Sequence, residues 1–221
     1  MKYLIVAGRR VRPGKILCVV RNYAAHARES GEAVPQTPVF FLKPITALIP
    51  SGGTVLLPPE SARVEVECEL AVVLSGGGRD IPPTEAMGHI LGYAVFFDVT
   101  ARDLQAKAKQ GGLPWTTAKG FDTFAPISDV ARASRVPEPM SLGITLTGNG
   151  EVWQDGTTRD MVHRIPDLVH HTSRVMSLEK GDVLATGTPA GVHVIQPGDV
   201  LVGTIERVGR LVARVGARGK A

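Results

Sequence analysis

The residues with the most chemical potential are the acids crowded into Glu65-Val66-Glu67-Cys68-Glu69, which run straight into the aliphatic stretch Leu70-Ala71-Val72-Val73-Leu74. An extended chain sends alternate side chains to opposite faces, so Glu65, Glu67 and Glu69 share one side and Cys68, Leu70 and Val72 the other. Carboxylates this close repel one another, and glutamate is a poor strand former. A hard divalent cation (Mg²⁺, Mn²⁺ or Ca²⁺) would relieve the repulsion. A solvated edge strand kept soluble by its glutamates is the other reading. A second candidate is His26 with Glu29, three apart on an alanine-rich helical segment, where the acid can orient the ring and raise its basicity as in a general base. An incidental ion pair on a surface helix has the same spacing.

Asp98 falls where an apolar strand turns into a helix, a position from which it offers a third oxygen ligand. Arg102 and Gln105, three apart on the first helical turns, point back to that junction and suit a substrate carboxylate. Equally, Thr100 reads as the helix N-cap with Asp103 completing a box, and Arg102 as a surface ion-pair partner. Lys119 follows an apolar stretch and precedes a glycine, surroundings in which a desolvated ammonium serves as the partner of an anion, although most lysines are simply exposed. The small-residue loop 185–192, which includes Thr188, offers hydroxyls and backbone N–H groups to an anionic ligand, or makes a turn.

The elements that must hold these residues are short. Strands are expected over 1–6, 15–20, 39–44, 54–57, 65–74 and 90–97, then over a hairpin pair, 142–147 and 152–155, turning at Gly148-Asn149-Gly150-Glu151. A closing pair covers 200–205 and 211–215. Helices are expected over the segment that Gly31 terminates, over 83–89, and over 165–177, the strongest amphipathic pattern, with Pro166 in its first turn. The segment 33–38, with its two prolines, suits a loop beside the His26 helix, as a lid over a site. The glycines of 75–80 lack a phosphate-cradling pattern and read as a hairpin loop. His170 and His171 have no carboxylate or cysteine spaced to join them as metal ligands and, like His89, His163 and His193, read as packing or surface residues.

At 221 residues the chain suits one domain, and 25 glycines with 16 prolines favour short strands and turns over long helices. A net charge of +4 without any long basic run, and aromatics at only 5%, fit a small anionic substrate and argue against a nucleic-acid platform. Cys18 and Cys68 sit inside apolar runs without paired spacing, which reads as buried free thiols in a reducing compartment. With no apolar run of spanning length and no signal-peptide pattern, the expectation is a cytoplasmic protein with no membrane partner.

Five motifs then occur in a telling order: RNYAAHARE at 21–29, EVECELAVVL at 65–74, FFDVTARDLQ at 96–105, GLPWTTAKGFDTF at 112–124 and ATGTPAGV at 185–192. Together they resemble the fumarylacetoacetate hydrolase family, in particular its short acylpyruvase and oxaloacetate-decarboxylase-like branch, over about residues 15–215. The resemblance implies an α+β fold, a mixed β-sandwich roll with short peripheral helices in one catalytic domain spanning 1–221. It implies Mg²⁺ or Mn²⁺ as cofactor and a homodimer. It implies Glu67, Glu69 and Asp98 as metal ligands with Glu65 just outside them, His26 and Glu29 as a catalytic dyad on a helix that orders over ligand, and Arg102, Gln105, Lys119 and Thr188 as substrate contacts. The implied reaction is cleavage of an acylpyruvate-type 2,4-dioxo acid to pyruvate and a carboxylic acid. Here Lys119 assists enolate formation and His26 activates water. Oxaloacetate decarboxylation, 2-hydroxymuconate-type isomerisation and hydration are the alternatives on the same site, and a non-catalytic metal-binding protein is the remotest. Three positions depart from the family pattern: Val20 and His193 stand where glycine is usual, and Gly148 replaces the residue before NGE.

Overall fold

The computed structural model describes residues 2–218. Its main sheet runs in the order Phe40–Lys43, Ile16–Val19, Val183–Ala185, Cys68–Leu74, Ile90–Phe97, Ala125–Ile127, Leu48–Pro50, with Ala131–Arg132 also pairing on Ile90–Phe97. Against it lies a five-stranded sheet in the order Glu151–Thr157, Gly143–Gly148, Val200–Ile205, Gly209–Ala217, Thr54–Leu57. The main sheet is covered on both faces, as the side chains of Cys68–Leu74 show. Cys68, Leu70, Val72 and Leu74 join the large core shared with Ile144, Leu146, Leu201 and Leu211 of the second sheet. Ala71 and Val73 face a smaller core in which Ala47, Ala94, Ala125 and Ala185 pack with Ile16, Leu48 and Phe96. This is the α+β sandwich roll that the motifs imply.

All seven residues of Cys68–Leu74 are buried, so the reading as a solvated edge strand is overturned. Antiparallel partners, Val183–Ala185 and Ile90–Phe97, flank the site strand on both sides, and Val183–Ala185 in turn runs parallel to Ile16–Val19 from the other end of the sequence. The helices are α1 (Ala24–Glu29), α2 (Arg102–Gln110), α3 (Thr116–Lys119) and α4 (Ile165–Val175). Helix α4 buries Ile165, Leu168, Val169 and Thr172 on one stripe, as its periodicity requires. The helix expected over 83–89 shrinks to a single 3₁₀ turn, Ala86–His89. The two cysteines are free and buried, and no helix among the described residues is long and apolar enough to cross a membrane.

Thr100 is not the cap of α2. It is drawn into a two-residue strand, Thr100–Ala101, that pairs with Val64–Val66, so the helix starts two residues later. Asp103 does stabilise that start from the first turn: its carboxylate accepts from the Ser61 hydroxyl at 2.6 Å, the Ala62 N–H at 2.9 Å and the Leu104 N–H at 2.9 Å. A negative charge there also meets the positive end of the helix.

Candidate active site

Strand register assembles the acids. Cys68 pairs with Phe97 and Glu69 with Phe96 in an antiparallel ladder, so the next residue on each strand comes side by side and the Asp98 N–H donates to the Glu67 carbonyl at 2.9 Å. Beyond that point the ribbon continues as Glu65 opposite Thr100 and Val64 opposite Ala101, and Arg102 N–H donates to the Arg63 carbonyl at 2.8 Å. The register is thus continuous across Glu67 and Asp98, which fall between the two ladders and lie side by side. Glu67, Glu69 and Asp98 can bring one oxygen each within 4.8 Å of one another, all three buried. Glu65 stands outside this trio, held by Arg63 at 2.7 Å and Arg102 at 2.6 Å.

Three buried carboxylates need positive charge, and the protein supplies it unevenly. Lys119 Nζ sits 2.7 Å from Asp98 and 3.5 Å from Glu67, and Arg102 pairs with Glu67 as well. Burial alone would discharge Lys119, but Asp98 and Glu67 outweigh it and hold its pKa above the ordinary lysine value. For Glu67 burial works the other way, and Lys119, Arg102 and His26 overcome it and hold the carboxyl well below its usual range. Lys43 Nζ lies 2.9 Å from Asp98 Oδ1. Its three protons nevertheless go to the carbonyls of Val99, Lys119 and Phe124, at 2.8, 2.7 and 3.0 Å. Asp98 Oδ1 is thus buried with a charge beside it and no hydrogen bond.

Glu69 is the least compensated of the three. It accepts the Gly187 N–H at 2.7 Å but has no ion-pair partner among the described residues. Burial, then the charges of Asp98 and Glu67, push its carboxyl well above the usual range. An orphaned carboxylate oxygen and an unpaired buried carboxylate beside it, all hard oxygen donors, fit a divalent cation.

The dyad faces the same place. Helix α1 ends on Ser30 and Gly31, the latter at φ 68°, the left-handed stop a glycine provides. His26 Nδ1 lies 3.2 Å from Glu29 Oε2, while Glu29 Oε1 accepts the Gly191 N–H at 3.0 Å. Glu29 therefore ties the helix to the loop 185–192. His26, Arg102, Gln105 and Lys119 line one cavity of about 50 Å³ with Glu67 and Asp98 at its floor. It opens past His26 and Arg102 into a wider mouth of about 390 Å³. An apolar groove of about 510 Å³ adjoins it, sharing Val20, Phe41 and Trp115.

Thr188 is placed differently from the other residues singled out by the sequence. Its hydroxyl donates to the Cys68 carbonyl at 2.7 Å and accepts from Gln154 Nε2 at 2.8 Å, so the side chain braces the strand that carries Glu67 and Glu69. Gln154 completes the brace by accepting the Cys68 N–H at 2.8 Å. Neither Gln154 nor Lys43 stands out in the sequence. For Lys43 the available signal was a lysine closing an apolar strand before a proline; Gln154 gives none.

Two of the unusual positions turn out to be one feature. The hairpin 148–151 turns with Asn149 at φ 53° and Gly150 at φ 88°, and Trp153 on the return strand folds back over Gly148. A Cβ at Gly148 would lie 1.9 Å from the indole ring. That indole also stacks on His193, with ring centroids 4.0 Å apart and planes at 17°. Glycine at 148 makes room for the ring, and histidine at 193 covers it. Gly148→Ala is therefore expected to cost roughly 1–3 kcal/mol by overpacking, measured by urea unfolding. Most of that cost should vanish in a Trp153→Ala background, because the clash has a single partner. An equal cost in both backgrounds would show that the constraint lies in the backbone.

Comparison with known proteins places the chain. Residues 15–216 match the family described as fumarylacetoacetate (FAA) hydrolase, C-terminal. The chain is 48% identical over 191 residues to a mitochondrial oxaloacetate tautomerase of Arabidopsis thaliana, with 86% of each chain covered. The crystal structure of fumarylpyruvate hydrolase from Pseudomonas aeruginosa in complex with Mn²⁺ and pyruvate is similar at a TM-score of 0.93 and 36% identity, covering 98% of this chain and 96% of that one. A 5-carboxymethyl-2-hydroxymuconate delta-isomerase from Mycobacterium smegmatis is similar at a TM-score of 0.85 and 39% identity, covering 96% and 82%. Sequence motifs, sheet order and the clustered acids lead to one conclusion: the chain belongs to the fumarylacetoacetate hydrolase family.

Proposed function

We propose that the protein hydrolyses acylpyruvate-type 2,4-dioxo acids to pyruvate and a carboxylic acid. The carrying observation is the His26–Glu29 pair set across one small polar cavity from Glu67, Asp98 and Lys119. Glu67, Glu69 and Asp98 would hold Mg²⁺ or Mn²⁺, which when bound supplies a Lewis acid for the 2-oxo acid head. The Mn²⁺ and pyruvate in the Pseudomonas aeruginosa relative support this choice. Arg102 and Gln105 orient the substrate carboxylate, and the buried Lys119 ammonium stabilises negative charge growing on the substrate oxygen. His26, its ring oriented by Glu29, takes a proton from water as that water adds to the distal carbonyl carbon. The bond between that carbon and the adjacent methylene then breaks. Its electron pair stays with the three-carbon fragment as an enolate, which a proton converts to pyruvate, and the acyl fragment leaves as a carboxylic acid.

A second reading is keto–enol tautomerisation of oxaloacetate, with His26 only moving a proton between carbon and oxygen. The activity carried by the name of the Arabidopsis relative favours it. The test follows the ultraviolet absorbance of an acylpyruvate enol with Mg²⁺ and then with chelator. Metal-dependent loss with stoichiometric pyruvate is expected. Loss without pyruvate would favour tautomerisation, and loss that persists in chelator would overturn the metal-assisted mechanism.

A further inference from the structure

The catalytic reading leaves one charged cluster in the cavity wall unused. Arg21, three residues before α1 begins, and Lys109, near the end of α2, both line the polar cavity, and both are held by Glu32. Lys109 Nζ is 2.5 Å from Glu32 Oε1, and Arg21 Nη1 bonds to the other carboxylate oxygen. Two cations thus share one carboxylate, which leaves an excess positive charge at this end of the cavity. Arg21 is under-used as well: its Nε is buried without a hydrogen-bond partner among the described residues. The backbone of Arg21 is held in the left-handed region at φ 52°, which fixes where its guanidinium emerges. A planar guanidinium with a free Nε, beside an ammonium, is a fork for a carboxylate.

We infer that Arg21 and Lys109 bind a second carboxylate at the far end of the substrate, and that Glu32 occupies their fork until it arrives. This rests on the 2-oxo acid reading of the site and adds its specificity. Helix geometry sets the reach. Arg102, Gln105 and Lys109 fall on one face of α2, and Arg102 and Lys109 are two turns apart, roughly 10 Å along the axis. A ligand whose 2-oxo acid head lies at Glu67 and Asp98 must therefore carry its second carboxylate several carbons beyond the oxo group. A four-carbon acid such as oxaloacetate keeps both carboxylates near the head and does not reach. An acyl group ending in methyl reaches but leaves the fork with Glu32.

The probes are two acids of equal length that cannot be cleaved: 2-oxoadipate, with the distal carboxylate, and 2-oxohexanoate, without it. Their binding is measured by calorimetry with Mg²⁺ present. The native protein is expected to bind 2-oxoadipate at least about tenfold more tightly, the usual worth of a charge-assisted hydrogen bond. Lys109→Met should erase that preference by weakening 2-oxoadipate alone. Glu32→Gln, which removes the competing charge, should enlarge it. Equal binding of both acids by the native protein would overturn the inference and leave the 2-oxo acid reading standing. So would a Lys109→Met loss equal for both acids, which would make Lys109 and Glu32 a latch between α1 and α2. Failure of both acids to bind would remove the 2-oxo acid reading itself, and this inference with it.

Discussion

His26→Gln is expected to lower kcat for acylpyruvate cleavage by roughly 10²–10⁴-fold, the usual contribution of a positioned general base. The loss should fall on kcat, because among the described residues no side-chain hydrogen bond or ion pair joins His26 to the carboxylate cluster or to Arg102 and Gln105, the proposed holders of the substrate head. Metal-dependent thermal stabilisation should survive for the same reason. Glu29→Gln should lose less than His26→Gln, since the ring stays in place and only its orientation and basicity suffer. Glu29 also accepts from Gly191 N–H, so some of its effect passes through the loop 185–192. Running oxaloacetate tautomerisation beside acylpyruvate cleavage separates the two readings. In a hydrolase the cleavage falls further, because water attack depends on the base more than enolisation of an already acidic methylene does. Undiminished cleavage by His26→Gln would remove the dyad from the mechanism.

Glu69→Gln is expected to abolish most of the stabilisation that Mg²⁺ or Mn²⁺ confers, and with it the activity. A ligand at a hundred times its dissociation constant adds about 2.7 kcal/mol, which for a chain of this size raises Tm by roughly 5–10 °C. In chelator the same variant should be more stable than the native protein, by roughly 2–4 °C or about 1 kcal/mol. The reason is the charge balance. Glu67 and Asp98 have cations of their own, whereas Glu69 has a single backbone N–H, and glutamine can still accept that bond while shedding the buried charge. The paired outcome, less stable with metal and more stable without, is specific to a buried ligand. A metal-dependent Tm gain that survived Glu69→Gln would place the ion elsewhere.

What could be read in the chain was local. Three acids at every second position, a histidine three residues before a glutamate and an aspartate at the end of an apolar run are patterns within one element. Strand and helix periodicity convert such patterns directly into shared faces, so Glu67, Glu69, Asp98, His26 and Glu29 were all visible as candidates. Gly31 as a stop and the turn at 148–151 were legible for the same reason, since only a few residues adopt positive φ cheaply. Thr100 shows the limit: its capping chemistry is sound, but pairing with Val64–Val66 competes for the same residue and wins.

The sequence by itself determined the family, the acidic cluster and the dyad, because each is carried by motifs short enough for backbone geometry to fix. Tertiary structure alone decided which carboxylate is left uncompensated. Desolvation and ion pairing depend on groups brought from far along the chain, such as Lys43 and Lys119 beside Asp98. It also decided that the Thr188 hydroxyl braces a strand, and that Arg21, Glu32 and Lys109 meet at the cavity wall. Residues that distant become neighbours only through sheet register and helix packing, which no local periodicity encodes.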